Sequence, residues 1–134
     1  MKKTLSVLLI LATVLACLCL CGCAKYPSSY NAILFVHSNT NNTASMTYSR
    51  FEGTFTFKLK TDKEADNALY YAGQTEDAGV TVYYDCGEEK QELFVLAAGE
   101  SASGSVALPR NATVYVIVTT DGKASNGSFS FDIR

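Results

Sequence analysis

The chain has 134 residues, enough for one packed domain and too few for two of ordinary size. It carries 11 Lys and Arg against 13 Asp and Glu, and beyond residue 24 its basic residues form no cluster. A mildly acidic surface of this kind repels phosphate backbones. The composition therefore predicts no nucleic-acid partner.

An apolar leader opens the chain. Lys2 and Lys3 precede a run of apolar residues from Leu5 to Leu20, which is typical of a secretory signal peptide. The run is slightly shorter than the roughly 20 residues that a membrane-spanning helix needs. We predict a signal-peptide helix over residues 1–22, with an uncleaved anchor helix as the alternative.

The leader ends in Leu20-Cys21-Gly22-Cys23, which resembles the lipobox of bacterial lipoproteins. In that motif a small residue precedes the modified cysteine and an aliphatic residue stands three positions before it. The resemblance implies that Cys23 is the lipidated first residue of the mature chain, with Cys17 as the alternative. Palmitate-type acyl chains on Cys23 would hold the protein stably on the extracytoplasmic side of the cell membrane, with residues 23–30 as a short tether.

Removal of the leader changes the composition of the protein. Four of the five cysteines lie at or before residue 23, so the folded part keeps one thiol, that of Cys86. A single thiol forms no intramolecular disulfide. We interpret Cys86 as a small buried hydrophobe, with a reactive thiol as the alternative. Residues 24–134 have a net charge of −4.

Residues 31–134 are predicted to form a single all-β domain. Apolar and polar residues alternate with period two, and no segment keeps the apolar spacing of a helix over three turns. The predicted strands are 32–37, 46–51, 54–60, 69–72, 80–85, 93–97, 104–108, 113–119 and 129–133. Eight or nine strands at this spacing predict a single antiparallel β-sandwich of jelly-roll type.

The first predicted strand contains the one histidine of the chain, His37. A nucleophile and base arrangement would need an acid partner that the sequence does not locate. One histidine and one free thiol also supply too few ligands for zinc. We therefore interpret His37 as a packed or edge-exposed strand residue and rank a small surface enzyme third among the functions.

Acidic residues alternate in the loop after the third predicted strand. Asp62, Glu64 and Asp66 offer the oxygen ligands that calcium prefers, but no glycine follows at the position that an EF-hand loop requires. Solvated loop acids are the favoured interpretation, and calcium bound by these three residues is the alternative. No other cofactor is predicted.

Two tyrosine pairs, Tyr70-Tyr71 and Tyr83-Tyr84, lie in predicted strands. Adjacent strand residues face opposite ways, so one tyrosine of each pair should lie outside. An exposed tyrosine could bind a glycan or a protein partner. Packing between neighbouring strands is the alternative role for both pairs.

The second half of the chain resembles the small jelly-roll domains attached to secreted bacterial hydrolases, of which the pre-peptidase C-terminal domain is the nearest type. The similar segments are 80–87, 99–101, 104–108, 114–118 and 127–133. The resemblance implies an accessory role in ligand or surface binding without catalysis. The predicted function is a membrane-anchored lipoprotein that presents a non-catalytic binding or structural module, with a glycan-capturing module as the alternative.

Overall fold

The computed structural model describes residues 25–87 and 89–134. The predicted signal-peptide helix, Cys17 and Cys23 lie outside the described residues. Nine strands make up the regular structure of the described part: β1 Ser29–Ile33, β2 Val36–Asn39, β3 Thr43–Lys60, β4 Asn67–Gln74, β5 Val80–Asp85, β6 Gln91–Leu96, β7 Ser101–Leu108, β8 Thr113–Thr120 and β9 Ala124–Ile133. Over the same residues, no helix has the length and hydropathy needed to cross a bilayer.

The strands pair in the order β6-β5-β8-β3-β9-β4-β7, and all pairs are antiparallel. Two further strands, β1 and β2, pair with β3. The inward side chains of all parts of this sheet join one hydrophobic core. The prediction of an all-β antiparallel sandwich is confirmed.

The 18-residue strand β3 belongs to both halves of the sandwich. Residues 43–51 pair with β9, and residues 54–60 pair with β8. The sequence predicts two strands here, separated near Gly53, and that prediction is wrong. The backbone bends without ending the strand, because Gly53 adopts a φ of +124° that residues with a side chain rarely adopt.

An interrupted edge strand runs along β3. The pairs Ser29 with Thr54 and Asn39 with Ala44 share one register, so β1 and β2 form a single strand broken at Leu34, which has a φ of +51°. The sequence instead predicts one uninterrupted strand over 32–37. The first strand also begins ahead of residue 31, at Ser29, within the predicted tether.

Aromatic rings from this edge strand pack against the second half of β3. The rings of Tyr30 and Phe35 lie 5.4 Å and 5.2 Å from the ring of Phe55. The imidazole of His37 lies 4.8 Å from the same ring. His37 is thus a strand residue that packs against an aromatic cluster while remaining exposed to solvent.

Stacked rings join the two halves across the core. Phe94 of β6 stacks on Tyr71 of β4 at 4.9 Å and on Phe129 of β9 at 6.2 Å. Each ring removes apolar area from water, and stacking adds about 1 kcal/mol per pair. The strand order ends at β6 on one half and at β7 on the other. The stack joins the two halves of the sandwich near these two edge strands.

Three glycines lie beneath aromatic rings of neighbouring strands. A Cβ added to any of them would collide with the ring of its own register partner, so the missing side chain provides the space that the ring fills. The pairs are Gly73 with Phe129, Gly104 with Tyr71, and Gly127 with Tyr48. These three rings therefore stay inside, and the outer surface of this half carries mainly short side chains.

Replacing Gly53 by Ala should lower the free energy of unfolding by about 1 to 3 kcal/mol or more, because the new Cβ meets a strained φ. It would also collide with the carbonyl oxygen of Ser29 and lie 2.8 Å from the Cα of Tyr30. Urea denaturation measures the change. The matched control is Gly122→Ala, where a Cβ has open space; equal midpoints for the two variants would contradict the role of the bend.

Candidate functional site

One half of the sandwich presents an outer surface of short polar side chains. It is built from the first half of β3 together with β9, β4 and β7, whose inward residues lie in the core. The alternate residues face outward: Thr43, Ser45 and Thr47 on β3; Ser128, Ser130 and Asp132 on β9; Tyr70, Ala72 and Gln74 on β4; Ser101, Ser103 and Ser105 on β7. We call this surface the hydroxyl face.

A shallow trough crosses the hydroxyl face at right angles to the strands. Its floor is the register row of Ser103, Ala72 and Ser130, which are paired directly across β7, β4 and β9. Tyr70 and Gln74 rise on either side of Ala72 along β4. Two grooves of about 340 Å³ and 420 Å³ share all three floor residues, so they form one continuous depression.

An aromatic ring and an ion pair form one wall of the trough. The Tyr70 side chain is exposed, at 42% of its full accessible area. The Arg134 guanidinium lies 4.8 Å over the Tyr70 ring, and its Nε donates a hydrogen bond of 2.8 Å to Asp132. That hydrogen bond and the charge of Asp132 raise the pKa of Arg134. The wall thus offers an aromatic ring, hydrogen-bond donors and a carboxylate at one place.

The other predicted tyrosines lie elsewhere. Tyr71 faces inward and stacks on Phe94. Tyr83 faces outward on the opposite half of the sandwich, where the Lys90 ammonium lies 4.4 Å over its ring. Tyr84 is 8% exposed, and its hydroxyl donates a hydrogen bond of 3.1 Å to Gln91. The structure therefore does not gather the four tyrosines, and one of them, Tyr70, lies on the hydroxyl face.

The three acids of the predicted calcium loop do not converge. The Asp62 carboxylate accepts a hydrogen bond of 2.8 Å from the backbone N–H of Glu64, which lowers the pKa of Asp62. Asp66 pairs with Arg110 at 2.8 Å and is almost fully exposed. In the part of the chain that the structure describes, no three acidic, histidine or cysteine side chains are placed to share a metal ion. Calcium binding by this loop stays a prediction.

A buried carboxylate that the sequence does not single out lies on the opposite half. Asp85 is 1% exposed and accepts three hydrogen bonds: from the Lys25 ammonium at 2.6 Å, the Tyr26 hydroxyl at 2.7 Å and the Gly87 N–H at 2.8 Å. Burial alone raises the pKa of the Asp85 carboxyl. The hydrogen bonds and the charge of Lys25 outweigh burial and lower this pKa to about 2.

The segment that reaches Asp85 crosses the outer surface of three strands. The Tyr26 ring packs edge-on against Tyr115 of β8 at 5.7 Å, and the Ser28 hydroxyl accepts a hydrogen bond of 2.9 Å from the N–H of Thr56 in β3. Ile117 faces outward between Tyr115 and Thr119 and is 4% exposed, which indicates that this surface is covered. We call residues 25–28 the strap.

No protein-family model matches the sequence, and no curated protein matches it significantly. The resemblance to pre-peptidase C-terminal domains therefore stays a prediction. Cys86 is half-buried and packs against the core, and a reactive thiol at this position stays the alternative.

Solved structures with a similar arrangement of strands include a mutant of a family 29 carbohydrate-binding module, at 12% identity and a TM-score of 0.40 over 81% of this chain and 80% of the other. A CBM4 structure matches at 7% identity and 0.38 over 78% and 74%. PliG, a periplasmic inhibitor of g-type lysozyme from Aeromonas hydrophila, matches at 16% identity and 0.41 over 70% and 88%. Similarity at this level assigns no function.

Replacing Asp85 by Asn should lower the free energy of unfolding at pH 7 by about 2 kcal/mol. This is the free energy that corresponds to the difference in the pKa of Asp85 between the folded and the unfolded chain. Because the folded pKa is lowered to about 2, this stabilisation is present above about pH 5 and is lost as pH falls from about 4 toward 2. Urea denaturation of both proteins across this range measures the difference. It should shrink in acid; a gap of the same size at pH 3 and pH 7 would contradict the account.

The matched control for Asp85→Asn is Asp66→Asn. The Asp66 carboxylate is 95% exposed and makes a surface ion pair with Arg110. Exposed pairs of this kind contribute about 1 kcal/mol or less. The control variant should therefore unfold close to the wild-type midpoint at every pH.

Proposed function

We propose that this protein is a membrane-anchored extracytoplasmic lipoprotein whose β-sandwich binds a neutral glycan in the trough of the hydroxyl face. The observation that carries the proposal is the exposed ring of Tyr70 beside a floor of short side chains, Ala72, Ser103 and Ser130. A sugar ring has an apolar C–H face and a rim of hydroxyl groups. The trough offers one partner for each.

The Tyr70 ring supplies the apolar contact. It stands at the edge of an open groove rather than within the core, and an aromatic ring in that position packs against apolar C–H surface. The floor is low enough for a flat ligand to approach the ring, because alanine and serine are short. Neighbouring strands lie about 4.8 Å apart, so the row across β7, β4 and β9 gives an extended ligand a path of roughly 10 Å.

Polar groups along the trough supply direction and specificity. The Asp132 carboxylate can accept hydrogen bonds from ligand hydroxyls, and the Arg134 guanidinium can donate them. The two side chains already neutralise each other at 2.8 Å, and the remaining wall and floor side chains are uncharged. This charge balance favours a neutral glycan over an acidic one.

The same pairing supports binding without catalysis. Asp132 is bonded to Arg134, and a carboxylate held in this way is suited to orienting a ligand hydroxyl. Hydrolysis of a glycosidic bond by the common mechanisms uses two carboxyl groups about 5 to 10 Å apart on either side of the bond. The open trough is instead lined mainly by serine and alanine.

The anchoring part of the proposal is supported by the sequence. Leu20-Cys21-Gly22-Cys23 has the residue sizes of a lipobox, and the chain becomes polar immediately after it, at Lys25. Two acyl chains hold a protein on a membrane stably, whereas one chain gives reversible binding. The glycan would then be captured outside the cytoplasmic membrane.

Tyr70→Ala should weaken glycan binding about tenfold or more, since a stacked ring contributes about 1.5 kcal/mol. Migration of the folded domain in native gels containing galactomannan, xylan or hydroxyethylcellulose measures the affinity. The control is Tyr83→Ala, which removes an outward tyrosine from the opposite half. Unretarded wild type in all three gels, or a loss of retardation confined to Tyr83→Ala, would overturn the proposal.

Cys23→Ala should abolish palmitate labelling, because it removes the acylated side chain. Cys17→Ala is the matched control, since the same motif shape surrounds that residue. Labelling that persists in Cys23→Ala and disappears in Cys17→Ala would move the anchor to Cys17. Labelling that persists in both variants would refute lipidation at either site.

A further inference from the structure

We infer that the strap and the outer surface beneath it form the membrane-facing side of the domain, so that the hydroxyl face is presented away from the bilayer. The partner of this side is an anionic lipid surface. The inference rests on the proposed anchoring through Cys23, and it is independent of which glycan the trough binds.

The first step is the distance between the anchor and the docked strap. Lys25 is two residues beyond Cys23, and two residues of extended chain span at most about 7 Å. The ammonium of Lys25 is bound to the buried carboxylate of Asp85 at 2.6 Å. The chain that leaves the lipid anchor is therefore attached to the body of the domain almost at once, in place of a free tether over residues 23–30.

The second step is the side of the sandwich to which the strap is attached. Asp85 and Tyr115 are register partners whose side chains face outward, because their neighbours Tyr84, Val114 and Val116 lie in the core. On the other half, Leu69 and the other inward residues of β4 belong to the same core. The strap and the hydroxyl face thus lie on opposite outer surfaces of one sandwich, with both sheets between them.

The third step is the chemistry of the surface beneath the strap. Three lysines outside the Lys25–Asp85 ion pair reach or border it, although the folded part of the chain is acidic overall: Lys58, Lys60 and Lys90. Lysines beside an anionic bilayer contribute about 1 kcal/mol each. Tyr83 and Tyr115 add rings with polar tips, which suit the headgroup region.

The nearest acidic side chains lie toward the rim of this surface. Glu92 is on β6, the edge strand of this half, and Glu89 is in the loop before it. Asp85 itself is neutralised by Lys25. The central rows of the surface, which run from β5 across β8 to β3, carry Lys58, Tyr83 and Tyr115. Lys90 lies beside Glu89 at the rim.

Energy transfer to labelled lipid tests the orientation. The full chain is expressed with its own leader, purified from membranes and placed in vesicles of phosphatidylcholine and phosphatidylglycerol with a headgroup acceptor dye. In a Cys86→Ala background, a donor dye is attached either at Val95→Cys, outward on the strap side, or at Ser103→Cys, on the hydroxyl face. Both positions are exposed. Transfer should be more efficient from position 95 than from position 103.

A strap variant supplies the matched comparison. Lys25→Ala removes a side chain that is 45% exposed and lies outside the hydrophobic core, so the strap loses its ion pair with Asp85. The difference in transfer between positions 95 and 103 should diminish in this variant. It should also diminish in vesicles of phosphatidylcholine alone, because the lysines then lose their charged partner.

The outcomes separate this inference from the proposals on which it draws. Equal transfer from both positions, or stronger transfer from position 103, in membrane-bound protein overturns the orientation and leaves the anchor standing. Recovery of the protein in the soluble fraction overturns the anchor and the orientation together. A failure of glycan retardation alters neither transfer measurement, since no glycan is present.

Discussion

The bend of β3 at Gly53 is the constraint on which the rest of the sandwich depends. One strand of 18 residues supplies pairing edges to both halves, with β8 and β9 lying end to end along it. The outer strands then extend from these two, β5 and β6 from β8, and β4 and β7 from β9. Because a single backbone sets the register of both halves, the strap on one surface and the trough on the other are fixed relative to each other.

The trough exists because large and small residues are sorted by the pleat of the strands. Tyr71 and Phe129 point inward, while their neighbours Ala72 and Ser130 point outward as register partners. The outer surface is therefore low wherever the inner surface is filled by rings. Tyr70 is the exception on β4, and its exposure gives a polar surface one apolar contact point.

Much of this fold is visible in the sequence, because period-two alternation identifies a strand whose two faces meet core and solvent. The alternation also predicts that Tyr70 and Tyr71 face opposite ways. Tyr70 faces outward because its neighbour Leu69 points into the core. The sequence alone does not show that Leu69 is buried, since this depends on how the two halves pack. The continuity of β3 was hidden, since a glycine between two apolar runs also fits a turn.

Polar contacts between residues far apart in the chain could not be predicted from the sequence. Asp85 ends a strand and looks like a solvated residue, and its partners Lys25 and Tyr26 precede it by about sixty positions. The acids at 62, 64 and 66 show the same limit from the other side. Their spacing suggests a shared ligand, yet Asp62 bonds to its own loop backbone and Asp66 to Arg110. The spacing of residues along a strand or loop predicts which way each side chain points. It does not predict which distant residue that side chain will contact.

The three ring-over-glycine pairs have a consequence for how such a chain can change over time. At each pair, a side chain added to the glycine would expel the ring, and a smaller residue in place of the ring would leave a hollow. In each pair, the glycine and the aromatic residue on the neighbouring strand can therefore be substituted only together. Distant homologues with little overall sequence identity would still carry paired substitutions at positions 73 and 129, 104 and 71, and 127 and 48. Covariation at these three pairs would therefore identify chains that share this fold.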